Sequence, residues 1–152
     1  MTASTDILPA AEFAVIHAEV QQFYAEHMQL LDSGAASEWA ATFTEDGSFA
    51  PPSAPEPIVG RKALEAGVRA ARAELDERGE AVRHLFSMIA VRPLPDGALK
   101  VRSYVQVVNT PRDGEPKLSL MCVCTDVLVH ERGTLLVKER QVTRDDRPSA
   151  NR

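Results

Sequence analysis

The sequence has few of the features that would direct a protein to a membrane or to nucleic acid. No apolar run reaches about 18 residues, the length that a helix needs to span a bilayer. Residues 1–13 combine no basic stretch with a long apolar one, so no export signal is expected. No stripe of lysine and arginine occurs, and the net charge is -5. A nucleic-acid phosphate backbone is therefore not an expected partner.

Cysteine is also scarce, because Cys122 and Cys124 are the only two in the chain. On a strand their side chains point to the same face, a placement that does not suit a disulfide between them. The spacing also differs from that of zinc sites, and no acid–histidine spacing takes its place. We therefore expect two reduced, buried thiols, no metal site and a cytoplasmic protein.

The length of 152 residues predicts a single domain, residues 1–152. A domain of this size buries roughly 70% of its extended-chain surface, enough for a core and an internal cavity. The ordered core is predicted at about residues 12–146. The ends, before Asp6 and after Asp145, are expected to be disordered.

The first half of the chain predicts helices. Apolar residues in the first segment recur at spacings of three and four, and Gly34 follows as a C-terminal cap. Glu45–Gly47 is a turn signal, and Ser48–Ala50 begins a short strand. The predicted helices are Ala11–Asp32, Glu38–Phe43 and Gly60–Gly79.

A proline-rich segment, Pro51–Pro57, separates the second and third helices. Four prolines in seven residues exclude both a helix and a central strand. Two interpretations remain open: a stiff surface loop, or a rim or lid over the mouth of a pocket.

The second half predicts strands, because apolar and polar residues alternate there and turn residues separate the runs. Consecutive hairpins make an antiparallel meander, and strands that follow helices indicate an α+β fold with the helices on one face of the sheet. The predicted strands are Ala81–Pro93, Leu99–Thr110, Lys117–His130 and Leu135–Arg144.

Two of these strands, the second and the fourth, carry many polar residues. On the second predicted strand, Leu99–Thr110, the residues Arg102, Tyr104 and Gln106 alternate with a mainly apolar set. Either one face is exposed at a dimer or solvent surface, or the concave face lines a hydrated pocket. Asp126 on the third strand lies among apolar residues and needs a partner, for which Arg140 on the next strand is suited. That pair is either structural or part of a site.

A sequence motif joins the first helix to the first strand. Its residues are Leu31, Asp32, Gly34, Trp39, Phe43, Asp46, Gly47 and Phe49. Further matches are a helix start at Gly60–Leu64, the pair Arg83–His84 opening the sheet, Arg102–Tyr104, and Arg140–Asp145 closing it. Over about residues 12–146 the chain resembles SnoaL-like and polyketide cyclase-like proteins of the nuclear transport factor 2-like superfamily, including scytalone dehydratase-like relatives.

The resemblance implies a cone-shaped α+β fold in which three N-terminal helices pack on a curved antiparallel sheet. It also implies that Asp32 and His84 face each other across a pocket, His84 as general base or acid and Asp32 orienting it. The chain departs from the scytalone dehydratase pattern, with Leu31 in place of a tyrosine and no certain second catalytic histidine.

Eight further residues are expected to contact the ligand. Met88 is included because strand alternation from His84 through Phe86 places it on the same face. For several residues a structural interpretation remains open: Asp32 bonding the turn after its helix, and Tyr24, His27 and His84 as packed side chains. The expected ligand contacts are Tyr24, His27, Trp39, Phe49, Phe86, Met88, Tyr104 and Gln106.

Two functional classes follow from the resemblance. The first is a cofactor-free dehydratase or cyclase acting on a small aromatic, polyketide-like intermediate. The second is a non-catalytic binding protein that protects such an intermediate or hands it over. A third interpretation is a small subunit that only supports a partner. The resemblance also implies a homodimer formed through the sheet.

Overall fold

The computed structural model describes residues 8–147, so most of both predicted disordered ends lies outside the described residues. The three predicted helices are present. The second begins and ends earlier than predicted, because Phe43 belongs to the first strand. The helices are α1 (Ala10–Asp32), α2 (Ala36–Ala40) and α3 (Arg61–Arg78).

The strands form one curved sheet in the order β2-β1-β6-β5-β4-β3. The predicted antiparallel meander is confirmed, since each of the last four strands pairs with the next. Two further strands extend it, because β1 pairs parallel with β6 and antiparallel with β2. The strands are β1 (Phe43–Ala50), β2 (Ile58–Val59), β3 (Glu80–Pro93), β4 (Leu99–Pro111), β5 (Lys117–Glu131) and β6 (Thr134–Arg144).

The predicted turn at Glu45–Gly47 is a local irregularity inside β1. The register with β6 shifts between Phe43 and Ser48, which interrupts the pairing. A Cβ atom on Gly47 would lie 3.0 Å from the Thr44 carbonyl oxygen and 3.1 Å from that of Val137. The close approach of these two carbonyls therefore requires glycine at this position.

The tight turn between β5 and β6 fixes the register of the last hairpin. Arg132 and Gly133 both have positive φ, 54° and 77°, as a two-residue type I′ turn requires. Continued without interruption, this register would pair Asp126 with Glu139, but it shifts by one residue between Val127 and Leu128, so that Asp126 pairs with Arg140. The turn and the irregularity together place the predicted acid–base pair side by side.

The core fills the space between the helices and the inner face of the sheet. Its helix side comes from α1, α2 and α3, and its sheet side from alternate residues of β1, β4, β5 and β6. This packing confirms the predicted layers, with the helices covering one face. The largest buried apolar side chains include Val20, Phe43, Leu64, Val101, Leu128 and Val137.

Candidate functional site

A cavity of about 390 Å³ lies between the helices and the inner face of the sheet. Four of the predicted site residues line it: His84, Trp39, Phe49 and Phe86. The remaining wall is mainly aliphatic. Pro51, Pro52 and Ser53 also line it, so the proline-rich segment lies at the cavity rather than apart from it.

Asp32 and His84 are in direct contact. Asp32 Oδ1 lies 2.6 Å from His84 Nδ1, and Asp32 Oδ2 accepts the His84 backbone N–H at 3.0 Å. Because a carboxylate can only accept, Nδ1 carries the ring proton. Nε2 is then the ring nitrogen left for a ligand. The two residues therefore meet, but in direct contact and not across a pocket: His84 lines the inner cavity, and Asp32 lines a neighbouring groove between α1 and β3.

Their elements explain the contact. Asp32 is the last residue of α1, and β3 is an edge strand that, within residues 8–147, pairs with β4 alone. The outer N–H of an edge strand has no ladder partner, and the Asp32 carboxylate accepts that of His84. The backbone donors after α1 bond carbonyls, such as Ser33 N–H to Gln29 O, so Asp32 does not cap its own turn.

A second polar cluster lies at the cavity wall. Arg140 donates from Nε to Asp126 Oδ1 and from Nη2 to Oδ2, both at 2.9 Å. Tyr24 donates its hydroxyl to Asp126 Oδ2 at 2.7 Å. The predicted pair is thus confirmed as a bidentate, buried ion pair. Arg140 itself lines the cavity, which sequence reasoning had left open.

Burial and charge within this cluster set its protonation. Burial and then the Asp126 carboxylate raise the pKa of Tyr24 well above its usual value. Burial and Asp126 likewise raise the pKa of the Cys124 thiol. Burial alone would lower the pKa of Arg140, but the charge and hydrogen bonds of Asp126, together with Cys124 and Tyr24, more than offset burial and raise that pKa. Tyr24 and Cys124 are therefore neutral and Arg140 charged in the neutral pH range.

His27 is a core residue, and its prediction as a ligand contact is wrong for this cavity. Its side chain is fully buried and its ring stacks against Phe23 and Trp39. His27 Nδ1 lies 2.6 Å from the Thr42 hydroxyl oxygen, whose own proton goes to the Trp39 carbonyl. Nδ1 is therefore the donor to Thr42. Burial, followed by the Arg140 charge, lowers the pKa of His27 well below its usual value.

Tyr24, which was predicted to contact the ligand, also lies outside the inner cavity. Its ring stacks on Phe86 at 5.0 Å between centroids, and its hydroxyl is committed to Asp126. It lines a separate outer groove of about 640 Å³ between α1 and β3, not the inner cavity. Among the described residues, 8–147, only Met28, His84 and Phe86 line both spaces.

Met88 does not share the face of His84, so that prediction is wrong. The β3–β4 register shifts between Ser87 and Ala90, where β3 carries one extra residue. Met88 has a positive φ of 51° and is 75% exposed. A one-residue bulge reverses the alternation beyond it, which a strict period of two could not anticipate.

Tyr104 and Gln106 lie on the outer face of the sheet, and their prediction as ligand contacts is also wrong. Their neighbours Val105 and Val107 line the cavity. Tyr104 is 41% exposed and lies beside the Arg102 guanidinium. The sequence could have indicated this, since on a strand that alternates polar and apolar residues the apolar set faces the core.

Comparisons with known proteins agree with this architecture. A family model of the SnoaL-like domain matches residues 15–141. The solved structure of ActVI-ORFA from Streptomyces coelicolor is 33% identical, with 90% of this chain and 99% of that chain covered and a TM-score of 0.83. A Catenulispora acidiphila protein solved in complex with S-DNPA is 36% identical, with 88% and 96% covered and a TM-score of 0.76.

A putative scytalone dehydratase from Novosphingobium aromaticivorans is 19% identical, with 90% and 88% covered and a TM-score of 0.75, a likeness of fold alone. A search of curated proteins finds no match to this chain. The fold is that of the nuclear transport factor 2-like superfamily. Within it, the chain belongs to the SnoaL-like domain family.

Among residues 8–147, no helix is long and apolar enough to cross a membrane.

Proposed function

We propose that the protein catalyses a cofactor-free dehydration or cyclisation of an aromatic, polyketide-type molecule, with His84 as the acid–base group. The single observation that carries this proposal is the Asp32–His84 contact, which leaves Nε2 of the cavity-lining His84 free to exchange a proton with a ligand. A positioned histidine typically contributes about 10²–10⁴-fold to a proton-transfer step.

The cavity supports an aromatic ligand. Trp39, Phe49 and Phe86 present ring surfaces, and most other lining residues are aliphatic. A volume of about 390 Å³ falls in the range for small-molecule sites. The related Catenulispora acidiphila protein was solved with a small molecule, S-DNPA. We carry small-molecule binding over to this chain as part of the proposal.

A suitable test substrate is a tetralone with a hydroxyl group beta to its ketone. Loss of water from it yields a naphthol, whose absorbance reports turnover directly. We expect the wild-type protein to accelerate this reaction and His84→Gln to lose about 10²-fold or more. Equal rates for the two proteins would remove His84 from the mechanism.

The binding-protein alternative rests on a specific observation. Of the four histidines in the chain, His84 alone lines the cavity, so a second histidine to share the proton transfers is lacking there. A binder depends on the shape of the cavity and not on the chemistry of His84. It would bind the naphthol product tightly in both the wild type and His84→Gln, with no turnover in either.

Gly67 offers a variant that tests the cavity itself. It lies in α3 and lines the cavity, and a Cβ atom added there would meet no neighbour within 4 Å. Gly67→Phe places a ring at this wall without replacing a packed side chain. The matched control is Ala66→Phe, an exposed position one residue away. Only Gly67→Phe should weaken naphthol binding, for an enzyme and a binder alike.

A further inference from the structure

The Arg140 guanidinium is only partly used by the protein. Nε and Nη2 bond the two oxygens of Asp126. Within residues 8–147, no acceptor takes a hydrogen bond from Nη1. A guanidinium has five N–H donors, and Arg140 is only 4% exposed while lining the cavity. The donors of Nη1 are therefore available to a molecule inside the cavity.

The guanidinium is also held in place. Its Cζ atom lies 5.5 Å from the ring centroid of Phe43 and 5.7 Å from that of Phe86. The bidentate contact with Asp126 fixes the plane of the group, and Tyr24 fixes Asp126 in turn. A donor that needs no reorientation when charge develops beside it is the arrangement that stabilises oxyanions.

Arg140 and His84 are close enough to act on one ligand. Phe86 follows His84 by two residues on the same face of β3, about 7 Å along the strand. Arg140 lies against the Phe86 ring, and all three residues line the same cavity. An aromatic ligand of one or two rings spans a distance of this order.

The charge of the cluster selects the kind of oxygen. Asp126 neutralises Arg140, and Tyr24 is neutral, so the cluster as a whole carries no net charge. Such a group is a poor site for a permanently charged phosphate. It suits a neutral carbonyl oxygen that becomes negative during the reaction.

We propose that Arg140 Nη1 binds a carbonyl oxygen of the substrate, and that this carbonyl is adjacent to the carbon whose proton His84 removes. The inference rests on the proposed function and adds to it the residue that binds the carbonyl oxygen of an aryl ketone with a beta hydroxyl group. Arg140 is then a catalytic residue that stabilises the enolate.

The proton and electron transfers balance in this scheme. His84 Nε2 takes the proton from the carbon next to the carbonyl, the C–H pair becomes a C=C bond, and the carbonyl π pair moves to the oxygen held by Arg140. The enolate then reforms the carbonyl and expels the beta hydroxyl, which takes the proton from His84 and leaves as water. No oxidant or reductant takes part.

The test uses a nitronaphthol, a coloured phenol that ionises near neutral pH and resembles the naphthol product. Its pKa when bound is read from its absorbance. If Nη1 donates to its oxygen, wild-type protein should lower that pKa by about one unit, which corresponds to roughly tenfold tighter binding of the anion. The shift should persist in His84→Gln and disappear in Arg140→Lys, since the shorter ammonium group stays with Asp126.

Three results would overturn the proposal: no lowering of the pKa in wild-type protein, a lowering that survives Arg140→Lys, or one that disappears in His84→Gln. If Arg140→Lys does not fold, His84→Gln protein is given the nitronaphthol and its methyl ether at alkaline pH. About tenfold tighter binding of the anion supports the proposal, and equal binding refutes it.

A lowered pKa without tetralone turnover would refute the proposed function alone. Turnover without a lowered pKa would refute the role of Arg140 alone.

Discussion

Asp32 holds both the ring and the backbone of His84, with one carboxylate oxygen 2.6 Å from Nδ1 and the other 3.0 Å from the backbone nitrogen. Because one carboxylate binds both groups, the orientation of the imidazole ring is tied to the position of the β3 backbone at His84. A carboxylate at the C-terminal end of a helix is opposed by the helix dipole, by about 0.3–1 kcal/mol. The two hydrogen bonds offset that cost.

Asp32→Asn should slow the proposed reaction by about 10–100-fold, less than the loss of His84 itself. An amide keeps one acceptor but turns the other position into a donor, so it favours the tautomer of His84 that carries its proton on Nε2. Nitrogen NMR of the ring should show Nδ1–H in wild-type protein and Nε2–H in the variant. An unchanged tautomer together with an unchanged rate would contradict an orienting role for Asp32.

The neutral, buried His27 should make the protein less stable in acid. Its pKa is lowered in the folded protein, so the unfolded chain binds a proton that the folded one does not. The stability it contributes is full above about pH 6.5 and falls as the pH drops below that value, by up to about 1.4 kcal/mol per pH unit. Urea denaturation should show this slope in wild-type protein and in the exposed control His130→Gln, and a smaller slope in His27→Phe. Equal slopes in all three would exclude His27 as its source.

Met88→Gly should stabilise the protein or leave it unchanged. A non-glycine residue at positive φ costs roughly 1–2 kcal/mol, and Met88 buries little surface in return. The matched control is Ile89→Gly, which removes a side chain packed against the core and should destabilise. Thermal denaturation distinguishes them, and a large loss of stability for Met88→Gly would mean that the exposed side chain packs against something in solution.

We expect a homodimer formed through the outer face of the sheet, where Leu85 and Tyr104 are exposed. Tyr104→Arg should give monomers with little change in stability of the single chain, because it sets a second positive charge beside the Arg102 guanidinium in the contact face. Ala66→Glu on α3 is the control and should remain dimeric. Sedimentation of wild-type protein as a ~17 kDa species at micromolar concentration would exclude the dimer, since the chain mass is 16.6 kDa.

The sequence predicts the framework well and the inner faces less well. Helix periodicity, capping glycines and hairpin turns act locally, so all three helices and the four-strand meander could be predicted. Asp32 and His84 were identified through a family motif, because no local pattern places the end of α1 beside β3.

The errors have separate physical causes. Met88 was misplaced because a single extra residue reverses the alternation, and sequence periodicity carries no mark of it. Tyr104 and Gln106 were assigned to the ligand for their chemistry, although the valines between them identify the inner face. The place of Arg140 at the cavity was left open, because its pairing with Asp126 on the neighbouring strand was by itself enough to explain a buried arginine from sequence.

The parallel pairing of β1 with β6 has a consequence for how the protein folds. Roughly 90 residues separate Phe43 from Val137, so this contact closes the longest loop in the sheet. Its loop-closure entropy is therefore the largest, and we expect it to form late in folding. The hairpins of β3 to β6 are local and can form earlier. Because β1 carries Phe49 and the ring of Phe43 under Arg140, a chain that has not docked β1 has the proton-transfer pair but no finished binding chamber.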